Sequence, residues 1–113
     1  MQATLLTIAG SDPTGGAGLQ ADIKTMTIIG CYAAGVPTCI TVQNSHGVKR
    51  VEPLQPDLVQ EQIKAVMDDH HVTHIKIGMV GTAAIAEAID SVLKEFPGEI
   101  ILDPVLLSTT GQE

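Results

Sequence analysis

Hydrophobic positions change period several times along the chain, and each change marks a new element. Leu5, Leu6, Ile8 and Ala9 form a nearly continuous apolar run ended by Gly10, the pattern of a strand buried on both faces. Beyond a Gly- and Pro-rich loop, Leu19, Ile23 and Met26 recur at i, i+4 and i+7, one stripe of a helix that Gly30 can end. Val36, Thr38, Ile40 and Val42 predict a second strand before Asn44, and Pro37 confines it to a sheet edge or to a beginning at that residue. Pro56 sits at a first helical position, and Val59, Ile63 and Val66 carry a second helix as far as the cluster from Asp68 to His71. Ile75, Ile77 and Val80 mark a third strand. Gly81-Thr82 then opens a helix with the stripe Ile85, Ile89, Val92, Leu93 and Phe96, which Pro97-Gly98 stops. Ile100, Ile101 and Leu102 form the last strand, with Asp103-Pro104 at its carboxyl end, where open α/β sheets place their ligands.

The resulting order, βαβαβαβ, predicts an α/β fold of three layers, a mostly parallel sheet with helices on both faces, because each parallel crossover needs a covering element. No helix follows the last strand. The chain is therefore expected to be the amino-terminal part, residues 1–113, of one larger domain, and its unpaired edge predicts self-association into a homo-oligomer.

Composition narrows the partners. With 113 residues and 44% hydrophobic content, the chain is the size of one domain and can bury roughly two thirds of its unfolded surface. A formal charge of -7, from 13 acidic and 6 basic residues, repels a phosphate backbone and argues against nucleic acid. Cys31 and Cys39 have neither a C-x-x-C spacing nor a secretory context, and read as reduced thiols. No lysine or arginine precedes the apolar run in Met1 to Gly10, and no apolar stretch approaches the ~18 residues of a membrane span, so a cytoplasmic location is expected.

The stretch from Gly10 to Gly18 is the richest in chemistry. It lies between a strand and a helix, where backbone N–H groups and the helix dipole favour an anion or a close ligand. Gly16-Ala17 stands where a P-loop needs Lys and Ser/Thr, which excludes a Walker-type site, and the glycines do not reproduce G-x-G-x-x-G. A tight turn needing positive φ, with no ligand, is the plainer alternative. Asp22, near the start of the first helix, reads either as a dipole-stabilising surface charge or as a ligand contact. Gln43, at the carboxyl end of the second strand, offers a donor and an acceptor side by side, which suits an aminopyrimidine edge or simply caps the strand. Met79, past the third strand, can pack a polarisable thioether on a flat ring or fill the core. His70 and His74 stand four apart, a metal-ligand spacing only if the helix continues through them; solvated surface histidines are the expectation, with no metal.

These positions all fall past the carboxyl ends of strands, and there the chain resembles a known family. Thr7-Ile8-Ala9-Gly10-Ser11-Asp12-Pro13 with Gly15 to Thr25 is similar to the signature of the hydroxymethylpyrimidine/phosphomethylpyrimidine kinases, members of the ribokinase-like superfamily. Val42-Gln43-Asn44 with Gly47-Val48, Lys76-Ile77-Gly78-Met79 and Leu102-Asp103-Pro104-Val105 resemble later blocks of that family in order and spacing. The resemblance implies ATP-dependent phosphorylation of 4-amino-5-hydroxymethyl-2-methylpyrimidine and then of its monophosphate, for thiamine synthesis. It implies that Gly10, Asp22, Gln43, Met79 and Val105 line the pyrimidine site. It also implies that the glycine-rich anion hole, the catalytic residue and most of the ATP and Mg²⁺ site lie further along than Glu113, leaving no catalytic residue in this chain. Thr109-Thr110 departs from the Lys and Ser that often precede the family glycine aligned with Gly111. A pyridoxal-type kinase of the same superfamily and a non-catalytic pyrimidine-binding module are the alternatives.

Overall fold

In the computed structural model, which describes residues 3–103, the first apolar run becomes the central strand of the sheet. The elements are β1 (Thr4–Ser11), α1 (Gly18–Ile28), β2 (Tyr32–Asn44), β3 (Gly47–Pro53), α2 (Pro56–Asp69), β4 (Val72–Ile77), α3 (Ala83–Leu93) and β5 (Glu99–Leu102). Strand order is β3-β2-β1-β4-β5, all neighbours parallel except the β2–β3 pair. Among the described residues no helix is long and apolar enough to cross a membrane.

Alternation along β1 separates the two faces of the sheet. Leu6 and Ile8, with Val36 of β2 and Ile75 of β4, are fully buried against Val59 and Ile63 of α2 and Ile85 and Ile89 of α3. Each such side chain contributes about 1.5–3 kcal/mol of burial, so this face carries most of the hydrophobic stabilisation. Thr82 caps α3 by accepting the Ile85 N–H at 3.1 Å, and Pro56 opens α2, as their sequences predict. The other face carries α1, seated on Gly35, where an added Cβ would lie 2.9 Å from Leu19 and Ile23 methyls. α1 has no fully buried residue. Its predicted stripe is only half-buried, and polar contacts do much of the docking.

Three expectations change. Pro37 lies inside β2, which is neither an edge strand nor begins there. It is accommodated because β3 pairs with β2 only from Cys39 onward, so β2 is locally an edge beside Pro37, and the β1 register shifts just beyond. Val80 falls outside the third strand, which ends at Ile77. β3, an antiparallel fifth strand, was not predicted: Lys49, Arg50 and Glu52 interrupt its apolar alternation, and most of it is exposed.

The histidine spacing also loses its premise, because α2 ends at Asp69 and His70 is extended. His70 instead stacks on Tyr32, ring centroids 5.1 Å apart, and His74 contacts the Thr73 hydroxyl at 2.8 Å. Among the described residues no group of three or more His, Cys, Asp or Glu is placed to hold a metal.

Candidate functional site

At the carboxyl ends of β1, β2, β4 and β5 the sheet opens into a cavity of about 200 Å³. Gly10, Asp22, Gln43 and Met79 all line it; Val105 lies outside the described residues. Drug-sized ligands occupy cavities of ~300–1,000 Å³, so the described part suits one small ring rather than a nucleotide.

The β1–α1 loop forms one wall. Asp12, only 5% exposed, takes four hydrogen bonds into its carboxylate: from the Thr14 N–H and hydroxyl at 2.9 and 2.8 Å, and from the Gly16 and Ala17 N–H groups at 3.1 and 3.0 Å. The N–H groups that the sequence offers to an external anion are thus partly taken by the loop's own carboxylate. Burial pushes the Asp12 carboxyl upward, but the Thr14 hydroxyl and the Thr14, Ala17 and Gly16 N–H groups outweigh it and hold the group below its ordinary range. Gln20 ties the loop to the helix, accepting the Asp12 N–H at 2.8 Å and donating to the Ser11 hydroxyl at 2.7 Å. Gly18 has a φ of +64°, and a Cβ there would run into the Gly10 carbonyl. The positive-φ turn expected from the glycines is therefore present.

The floor is polar and charged. Thr7 of β1 and Lys76 of β4 are register partners on adjacent strands, and both reach the Asp22 carboxylate. Thr7 donates to Oδ2 at 2.7 Å and Lys76 Nζ donates to Oδ1 at 2.6 Å; Lys76 also lies 3.7 Å from Asp103 Oδ2. Asp22 is the fifth residue of α1 and its side chain is 13% exposed, so it is not the surface charge that its sequence position favours. It ties α1 to two strands and borders the cavity at once.

The remaining wall comes from β2. The β2–β3 register slips where Val42 faces Arg50 and Gln43 faces Val48, which leaves Lys49 of β3 as the extra residue beside this wall. Gln43 Nε2 donates to Thr41 Oγ1 at 2.7 Å, and Thr41 in turn donates to the Ser11 carbonyl at 2.7 Å. Met79 also lines the cavity, beside Gly10: a Cβ on Gly10 would stand 2.8 Å from its Cε and 3.0 Å from Cys39 Sγ, so Gly10 leaves room for both sulfur side chains. The Thr38 hydroxyl holds the Met79 carbonyl at 2.8 Å. Burial pushes the Cys39 thiol upward, opposed by hydrogen bonds from Thr38 and the Ser11 backbone, which leaves it an inert packing group rather than a nucleophile.

Residues 12–113 match the family model described as phosphomethylpyrimidine kinase. The chain belongs to the phosphomethylpyrimidine kinase family. It is 45% identical over 111 residues to a hydroxymethylpyrimidine/phosphomethylpyrimidine kinase of Rhizobium meliloti, covering 98% of this chain and 42% of that protein. A crystal structure of phosphomethylpyrimidine kinase from Clostridium difficile matches with a TM-score of 0.90 at 44% identity, over 98% of this chain and 48% of that one. Staphylococcus aureus pyridoxal kinase, solved with AMP-PCP and pyridoxal, matches with a TM-score of 0.83 at 31% identity, over 98% and 42%. The chain thus spans less than half the length of these relatives, and its α/β fold is the ribokinase-like one they share.

Four of the five residues that the family resemblance singles out converge on one cavity. Sequence reasoning left out Lys76, Thr41 and Asp12, which line the cavity, and Thr7, which holds Asp22 from beneath it. Lys76 carried a signal: it is a cation flanked by Ile75 and Ile77 in a strand between two others, a place that demands a counter-charge. The two threonines carried none, because their roles depend on which strands become neighbours.

Proposed function

We propose that this chain forms the pyrimidine-binding part of a kinase that phosphorylates 4-amino-5-hydroxymethyl-2-methylpyrimidine and then its monophosphate with ATP, for thiamine synthesis in the cytoplasm. The observation that carries this reading is the single-ring cavity lined by both Gln43 and Met79. The amide pairs with the ring nitrogen and exocyclic amine, the thioether packs on the ring, and Asp22 flanks the acceptor end. These groups orient the acceptor hydroxyl, which is most of what a protein contributes to phosphoryl transfer. ATP, its Mg²⁺ and the activating residue belong to the portion by which the relatives exceed this chain. The described residues offer no metal-binding cluster of their own.

Titration calorimetry tests the reading. The chain is expected to bind 4-amino-5-hydroxymethyl-2-methylpyrimidine, with Gln43→Ala weakening binding by ~1–3 kcal/mol and His70→Ala changing it little. Tighter binding of pyridoxal than of the pyrimidine would favour the second reading, which the pyridoxal kinase likeness supports. The 113-residue chain alone is expected to show no pyrimidine-dependent ATP turnover; a rate that co-elutes with it in gel filtration counts against the division of labour.

A further inference from the structure

We infer that Thr41 is the specificity-determining residue of this site, because it fixes which way the Gln43 amide faces. This rests on the pyrimidine reading above and deepens it. Thr41 is 5% exposed and its hydroxyl has one hydrogen. The Ser11 carbonyl, 2.7 Å away, can only accept, so the Thr41 hydrogen is committed there. What remains on Thr41 Oγ1 toward Gln43 is a lone pair, and at 2.7 Å the amide must meet it with N–H rather than with oxygen. The chain of donors Gln43, Thr41, Ser11 therefore has one direction, set at its far end by a backbone carbonyl that cannot reverse.

With one Nε2 hydrogen engaged, Gln43 brings Oε1 and its other hydrogen to the cavity it lines. That edge matches a ring with an exocyclic amine beside an unprotonated ring nitrogen. The inverted edge, a ring carbonyl beside a ring N–H, requires the amide to rotate by a half-turn. Rotation places Oε1 against Thr41 Oγ1, two oxygens with no hydrogen between them. Sites built to pair a ligand's polar edge reject analogues that leave buried groups unpaired. Thr41 makes the rejection possible by preventing the amide from adapting. Thr41 also lines the cavity, but its part here is exerted through its hydrogen bond to Gln43, so it is a positioning residue for selectivity and not a catalytic one. Residues two apart on a strand share a face, which sets Gln43 beside Thr41 in β2.

The test compares 4-amino-5-hydroxymethyl-2-methylpyrimidine with its 4-oxo counterpart, titrated into the parent chain, Thr41→Val and Thr41→Ser. The parent and Thr41→Ser prefer the amino ring by about tenfold or more, and Thr41→Val reduces that preference to within about threefold. In ¹⁵N-labelled protein without ligand, one Gln43 side-chain hydrogen exchanges slowly in the parent and in Thr41→Ser, and fast in Thr41→Val. Should Thr41→Val fail to fold, the slow hydrogen in the parent and the Thr41→Ser preference still decide. Unchanged discrimination in Thr41→Val, or a Gln43 amide in the parent with two rapidly exchanging hydrogens, overturns the inference. A parent that binds neither ring overturns the pyrimidine reading and the selectivity built on it, while the amide exchange still reports separately on the lock.

Discussion

Lys76 separates two ion pairs whose energetics differ because their surroundings differ. Toward Asp22 it faces a carboxylate 13% exposed at 2.6 Å; toward Asp103 it faces one 41% exposed at 3.7 Å. Removing the cation leaves Asp22 with only the Thr7 hydroxyl in a mostly dry site, so Lys76→Met costs roughly 2–3 kcal/mol of stability. Asp103→Asn breaks only a solvated pair and costs less than about 1 kcal/mol. Urea unfolding of both variants checks the ordering, and equal losses would show that solvent screens Asp22 as well. Asp12 gives a second test through pH. Its carboxyl is held below the ordinary value of 3.8, so the folded state binds fewer protons than the unfolded state in that range. The stabilisation is therefore complete above pH 3.8 and is lost as pH falls through the lower folded value. Asp12→Asn is expected to be less stable near neutrality and to lose less on acidification; a parallel acid limb in both proteins would show that Asp12 contributes nothing to the pH dependence.

At the scale of elements, α1 is the informative case. Its sequence stripe is real, yet no residue on it is buried, and it is held by the Asp22 clasp, by Gln20 and by a loop that brings Gly18 against Gly10. Two glycines with positive φ separate strain from steric approach. Gly30, at +92°, has nothing within 4 Å of where a Cβ would stand, whereas at Gly18 the same atom meets a backbone carbonyl that cannot rotate away. Gly30→Ala accordingly costs about 1–2 kcal/mol, the conformational penalty alone. Gly18→Ala costs more, and it moves the Gly10 wall and so weakens ligand binding. Chemical denaturation with ligand titration distinguishes them: equal stability losses with unaltered binding would mean that the loop relaxes freely.

Across the described residues as a whole, the two ends of the sheet are unlike. β3 is a charged antiparallel edge bearing Lys49, Arg50 and Glu52, the kind of edge that resists pairing. β5 is apolar, with Ile100, Ile101 and Leu102 at 40%, 53% and 69% exposure, and beside it a recess of about 340 Å³ lies against α3 residues Ile89 and Leu93. In this 113-residue chain, which spans under half the length of its relatives, those aliphatic groups stand open to a further strand or to a second copy. Sedimentation velocity across a wide concentration range is expected to show self-association, and Ile101→Lys to reduce it. A monodisperse monomer at all concentrations would contradict this.

The alternating fold was legible because buried parallel strands and amphipathic helices impose different periods on the same chain, and the helix starts at Pro56 and Thr82 follow from local backbone chemistry. Gly10, Asp22, Gln43 and Met79 were legible as a group only through the family resemblance, since separately each had an ordinary structural explanation. Pro37 misled because a proline reports on one hydrogen bond, and whether that bond was needed depends on where β3 stops pairing. Tertiary structure alone made Lys76 and Thr7 register partners beneath Asp22 and set the Ser11 carbonyl beside Thr41. Those contacts join residues distant in sequence, and local periodicity carries no information about which strands become neighbours.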